Sequence, residues 1–149
     1  MLAARELQVP RYVPILNPVL RRLLKLGVPL GPNGLLTVRG RRSGLMRTTP
    51  VAVVQRDGRR WVVGTFGDVN WVRNLREARQ AVVAVGGKKA AVTARELSQT
   101  EAGEFFETVL RPYVGDSALK RLVLGALGAS DIIADPGGAA LRRPVFELR

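Results

Sequence analysis

"TTPVAVVQRDGRRWVVGTF", Thr48 to Phe66, reads as two strands joined by a tight turn. Val, Thr, Trp and Phe suit a pleated, half-buried surface, and Asp57-Gly58 tolerates the positive φ values that a two-residue hairpin turn requires. "TTPVAVVQ" and "RWVVGTF" are therefore expected to be antiparallel neighbours. Upstream, "GLLTVRG" reads as another strand. Downstream, "AVVAV" and "AAVTAREL" form a second hairpin across Gly86-Gly87, and "PVFELR" supplies a closing strand. Five or six mostly antiparallel strands with short helices make an α+β small barrel.

The helices announce themselves by a change of period. In "NWVRNLREAR", Trp71, Leu75 and Ala78 fall at i, i+4 and i+7, while Arg73, Arg76 and Glu77 face away. Ser98-Gln-Thr-Glu101 fits a capping box, opening a helix through "EAGEFFETVL" with Phe105, Phe106, Val109 and Leu110 inward and Pro112 at its end. A further helix is expected over 117–127, and "SDIIADPGG" reads as loop. Ahead of the barrel, Pro18 opens a short helix through "VLRRLLKL". Leu20, Leu23 and Leu24 share one face of it, and Arg21, Arg22 and Lys25 the other, which suits either a cover for one end of the core or a basic membrane-surface contact. The expected organisation is a single domain, with residues 1–33 as an N-terminal helical segment and 34–149 as the barrel.

Composition narrows the chemistry. The chain has no cysteine and no histidine, which excludes thiolate nucleophiles, disulfides and the commonest general base and metal ligand. Its 12 acidic residues are scattered, without the paired spacing of a metal site or a glycosidase, so no metal is expected. An enzyme built this way takes its reactive chemistry from a cofactor. "MLAARELQVP" does not read as a secretory signal. The apolar run from Val13 to Leu20 is eight residues, against the roughly 20 of a membrane span. The expected location is cytoplasmic, with peripheral contact on the inner face of the plasma membrane through residues 18–26.

The net charge of +12 is concentrated unevenly: between Glu6 and Asp57 there is no acid, against nine Arg or Lys. "GRRSGLMRTTP", Gly40 to Pro50, follows Arg39 directly and holds Arg41, Arg42 and Arg47. Glycines permit tight backbone paths, Ser43 adds a hydroxyl, and guanidinium forks match phosphate and carboxylate oxygens. The spacing is neither a Walker loop nor a dinucleotide fingerprint. Read by itself it is an anion-binding loop or a solvated basic turn.

"LLTVRGRRSGLMRTTPVAVVQRDGRRWVVGTFGDVNWVRNL", residues 35–75, resembles the core signature of the deazaflavin-dependent nitroreductases, also described as F-420-dependent quinone reductases. The resemblance lies in G-R-[RK]-[ST]-G-x-x-R-x-[TN]-P, a "DG" hairpin, a strand ending in a small-residue turn, and W-x-x-N-L, in that order. It implies a split β-barrel of the FMN-binding kind and an oxidoreductase that passes a hydride from reduced coenzyme F-420 to a quinone, nitroaromatic or similar acceptor. The polyanionic tail of that coenzyme would account for arginines without acids. By resemblance, Arg41, Arg42, Ser43, Gly44 and Arg47 match the phosphate-binding loop, and Thr48, Thr49 and Pro50 the segment along the coenzyme. Thr65, Phe66 and Gly67 match the turn beside the ring, and Trp71 and Asn74 the following helix. Trp71 also reads as a packed aromatic, and Asn74 as a loop anchor. Thr49 or Thr65 would stabilise charge developing on the acceptor, and Tyr113 or solvent would supply the proton. The alternatives are an FMN-binding split-barrel protein and a non-catalytic module for an anionic ligand or lipid. No nucleic-acid motif is present.

Overall fold

The structure is a computed structural model and describes residues 33–112 and 131–149. Six strands close an antiparallel barrel in the order β1-β2-β3-β6-β5-β4. They are β1 (Gly34–Arg39), β2 (Met46–Arg56), β3 (Arg59–Val63), β4 (Gln80–Val85), β5 (Lys88–Glu96) and β6 (Val145–Leu148). The two expected hairpins form: Asp57 and Gly58 adopt φ 52° and 75°, and Gly86 and Gly87 adopt 57° and 78°. These left-handed pairs match the twist of the strands they join.

Two strands change partner along their length. β2 pairs with β1 from Met46↔Arg39 to Val51↔Gly34, then with β3 from Ala52↔Val63 to Arg56↔Arg59. β5 pairs with β4 over Lys88–Thr93 and with β6 over Ala94–Glu96. Each therefore turns a corner of the barrel. One consequence bears on the site: among the described residues no strand pairs with the second edge of Met46–Val51.

Apolar runs such as Val53-Val54, Val62-Val63 and Val145-Phe146 do not alternate because both faces of these strands are covered. Leu36, Val53, Val62, Val83, Phe146 and Leu148 pack inside the barrel. Their neighbours Val54, Trp61, Val63 and Val145 pack outside it, against the helix α2 (Gln99–Phe105) and its continuation Phe106–Leu110. Each such side chain contributes about 1.5–3 kcal/mol through burial. In α1 (Asn70–Ala78), Val72 and Leu75 are fully buried against the barrel interior. Half-buried Trp71 sits 6.5 Å from the Phe146 ring, consistent with its reading as a packed aromatic.

The capping box is present: Ser98 Oγ accepts from Glu101 N–H at 3.2 Å. α2 continues past Phe105, but Phe106–Leu110 widens to π geometry. There the Thr108 carbonyl accepts from Arg56 Nη1 at 3.1 Å, and the Thr108 hydroxyl bonds to the Glu104 carbonyl at 2.7 Å. Two expectations need correction. The third strand ends at Val63, short of Phe66, because Gly64 N–H bonds to the Pro144 carbonyl at 2.7 Å and the chain turns away. Residues 131–138, read as loop, belong to two short helices, α3 (Asp131–Ala134) and α4 (Pro136–Arg142). The Asp135 side chain caps Gly138 N–H and Pro136 occupies the first turn, so the polar and glycine-rich text that suggested a loop is a helix start. The expected helices at 18–26 and 117–127 lie outside the described residues.

Candidate functional site

The β1–β2 connection folds on itself. Gly40 N–H bonds to the Leu45 carbonyl at 2.7 Å, Gly44 N–H to the Gly40 carbonyl at 2.9 Å, and Leu45 N–H to Ser43 Oγ at 3.2 Å. Gly44 sits at φ 70°, a conformation that costs an L-residue roughly 1–2 kcal/mol. A Cβ on Gly40 would come within 2.8 Å of Ser43 Oγ and 3.2 Å of the Leu45 carbonyl, so the first glycine suits a close approach and the second a left-handed backbone.

Asn74 holds this loop to α1. Its Oδ1 accepts from Arg41 N–H at 3.2 Å and from Arg41 Nη1 at 2.8 Å, while Asn70 accepts further contacts from the same guanidinium at 3.4 and 3.5 Å. Arg41 is thus turned inward onto neutral partners. Asn74 is the loop anchor, and it is buried. Arg39, Arg42 and Arg47 make no ion pair among the described residues, and Arg42 and Arg47 are exposed. A depression of about 520 Å³ lies between the loop and α1, with Asn74, Glu77 and Ala78 as its helical wall. Glu77 is the one carboxylate on it, and it forms no ion pair with the loop.

Past the loop, β1 and β2 carry paired threonines: Thr37 and Thr48 hydroxyls meet at 2.8 Å on an exposed face. Thr49 and Pro50 follow, half-buried, on the strand half whose second edge is unpaired. Gly64 to Val69 then forms a compact turn, with Gly67 N–H on the Gly64 carbonyl at 2.9 Å. Thr65 and Phe66 are half-buried and Gly67 is buried.

A second depression, about 690 Å³, opens beside that turn, with Phe66, Gly67, Asn70, Leu97, Ala102 and Leu141 among its lining residues. It is also rich in arginine, but its charges are paired. Arg76 forks Glu96 at 2.7 and 2.9 Å and reaches Asp68 at 2.9 Å; Arg73 bonds to Asp68 at 3.1 Å. Burial opposes ionisation of Asp68, yet the hydrogen bonds from Arg76 and Arg73 hold its carboxyl below the ordinary value. Asp131 behaves likewise between Arg143 and Arg142, and Glu96 raises the Arg76 guanidinium.

A sequence model of the F420H(2)-dependent quinone reductase family matches residues 22–121. The chain belongs to this family. The reductase is therefore an oxidoreductase that uses coenzyme F-420, with a quinone as the acceptor class of its family. No curated protein matches the chain. Among solved structures, a candidate 5-nitroimidazole antibiotic resistance protein from Bacteroides thetaiotaomicron is 7% identical. It covers 86% of the reductase and 77% of its own chain, with a TM-score of 0.53, a likeness of fold. An F420-H2-dependent reductase is 24% identical over 79% of the reductase and 94% of its own chain, with a TM-score of 0.48. The split-barrel expectation is met.

The reductase brings Arg41, Arg42, Ser43, Gly44 and Asn74 together beside α1, carries Arg47, Thr48, Thr49 and Pro50 on β2, and packs Trp71 of α1 against the barrel core near Phe146 instead. Tyr113 lies outside the described residues. Among the described residues no group of three Asp or Glu is placed to hold a metal, and no helix is long and apolar enough to cross a membrane. Sequence reading missed Arg143 and Asp131. Arg143 is almost wholly buried, forks Asp131 at 2.8 and 3.2 Å, and donates from Nη1 to the Thr65 carbonyl. No local signal announces this arrangement, because two short helices are needed to bring positions 131 and 143 together.

Proposed function

We propose that residues 39–50 are the binding track for coenzyme F-420 and that the 65–67 turn receives its ring. The observation that supports this reading is the set of guanidinium groups on Arg39, Arg42 and Arg47, which make no ion pair among the described residues. A phosphodiester and an oligoglutamate tail are the anions such a set fits. Arg41 is preorganised by Asn74 and Asn70, so the loop is held in place before the ligand arrives. Thr48, Thr49 and Pro50 lead along the half of β2 whose second edge carries no strand among the described residues, towards Thr65, Phe66 and Gly67.

When bound, the reduced coenzyme supplies the hydride. The chain's own contribution is placement, since holding an acceptor at near-attack distance removes several kcal/mol of barrier. The hydroxyl of Thr49 or Thr65 would donate to charge developing on the acceptor, and Tyr113 or solvent would supply the proton. Quinones and nitroaromatics are the acceptors this reading favours. Its place of work is the cytoplasm, with the basic stretch 18–26 touching the inner face of the plasma membrane. Titration with oxidised coenzyme tests the track: Arg42→Ala/Arg47→Ala weakens binding, and unchanged affinity would remove the anchoring role.

A further inference from the structure

The geometry points to Arg143 as a positioning residue for the ring-side turn, fixing the orientation of the peptide between Thr65 and Phe66. This rests on the reading that the turn receives the ring. Gly64 and Gly67 are the ends of a turn closed by a 2.9 Å hydrogen bond, so the Thr65–Phe66 peptide is its central one. The central peptide is the part of a four-residue turn that can rotate while both ends stay where they are. Here it is held. Arg143 Nη1 donates to the Thr65 carbonyl, and the next residue, Pro144, accepts Gly64 N–H at 2.7 Å. The Gly64–Pro144 contact extends the β3–β6 ladder one step beyond Val63↔Val145, and the Arg143 side chain braces the turn next to it.

Arg143 has little freedom to do otherwise. Its side chain is 2% exposed, and Asp131 takes Nη2 at 2.8 Å and Nε at 3.2 Å. Arg142 approaches the same carboxylate at 3.0 Å but does not touch the turn. Because a trans peptide points its C=O and N–H in opposite directions, consuming the Thr65 carbonyl on the Arg143 side sends Phe66 N–H to the other side. Among the described residues nothing accepts from Phe66 N–H. Rotating the peptide would need a left-handed φ at Phe66, which the structure does not have and which a bulky residue resists. Arg143 thus presents one unpartnered backbone donor at the position proposed for the ring, where an oxygen on the bound coenzyme can accept it.

The test compares three variants by binding of oxidised F-420, with the absorption spectrum of the saturated complex and the melting temperature of the free protein. Arg143→Lys keeps the charge beside Asp131 but lacks the fork that reaches Asp131 and the Thr65 carbonyl together. It is expected to weaken binding about tenfold and to alter the bound spectrum. Arg142→Lys should leave affinity and spectrum as in the wild type. Asp131→Asn, which removes the carboxylate that holds Arg143, should alter the bound spectrum in the same direction as Arg143→Lys, which keeps the test available if Arg143→Lys folds poorly. Wild-type affinity and spectrum in Arg143→Lys would overturn the inference, as would a wild-type spectrum in Asp131→Asn or an equal spectral change in Arg142→Lys. If Arg42→Ala/Arg47→Ala binds normally, the binding track itself is wrong; if only Arg143→Lys binds normally, the track stands and the positioning role falls.

Discussion

α1 separates two arginine-rich regions that look alike in sequence and differ in what faces them. On the side of Asn74 and Ala78, the 39–47 loop holds arginines without carboxylate partners among the described residues. On the side of Asn70, Arg73 and Arg76, the guanidinium groups of Arg73, Arg76, Arg142 and Arg143 each meet Asp68, Glu96 or Asp131. A paired guanidinium is committed to holding elements of the fold together. An unpaired one contributes little to stability and is available to a ligand.

The largest expected effect comes from breaking the paired side. Arg143→Met leaves Asp131 with Arg142 alone and the Thr65 carbonyl without its buried donor, and should lower the unfolding free energy by about 3 kcal/mol. Denaturant titration reads this directly; a loss below about 0.5 kcal/mol, the size of an ordinary surface substitution, would erase the distinction between the regions.

On the unpaired side the same measurement should barely move. Arg42→Ala/Arg47→Ala is expected to raise the dissociation constant for oxidised F-420 about 100-fold, through loss of two charge-assisted contacts. Stability should hold or rise, because the net charge of +12 is reduced. Destabilisation of this variant would show that the loop arginines serve the fold after all.

Acid sharpens the comparison in another way. Glu147 is buried on β6 and bonded to Arg59 at 3.1 Å and to Arg95 and Arg149 at 3.3 Å. Burial works against its charge, but hydrogen bonds from Arg59 and Arg149 hold the carboxyl below its ordinary value of 4.5. With the folded value below the unfolded one, its stabilisation is complete above the unfolded value and is lost as pH falls through the folded one. Stability should therefore fall on acidification below 4.5, and Glu147→Gln should make that limb shallower by at most about 1.4 kcal/mol per pH unit. An acid limb of unchanged slope in Glu147→Gln would count against the pairing.

The smallest effect concerns the loop backbone. Gly44→Ala should cost about 1 kcal/mol through its left-handed conformation, and Gly44→Asn less, since Asn visits that region more readily and nothing within 4 Å obstructs either side chain. Calorimetric melting of both variants tests this, and equal melting points for Ala and Asn would contradict the backbone explanation.

Most of the barrel was legible because turns and periods are local. Asp57-Gly58 and Gly86-Gly87 mark both hairpins, and Ser98 with Glu101 marks the start of α2. Asn74 as loop anchor was legible as one of two readings, and its contact with Arg41 needed the fold to appear. The helices at 131–142 were not legible, because aspartate, proline and glycine signal a helix start as readily as a loop. The π geometry at 106–110 was hidden too, since its inward residues fit an ordinary helical stripe.

By itself the sequence determined the hairpins, the family signature and the excess of positive charge, all of which follow from neighbouring residues and simple counts. Tertiary structure alone decided which arginines stay unpaired. Whether a guanidinium finds a carboxylate depends on residues far away in the chain, as Arg76 finds Glu96 and Arg59 finds Glu147 while Arg42 and Arg47 find none among the described residues. Ion pairing acts over a few ångströms in space, and only the closed barrel sets those distances.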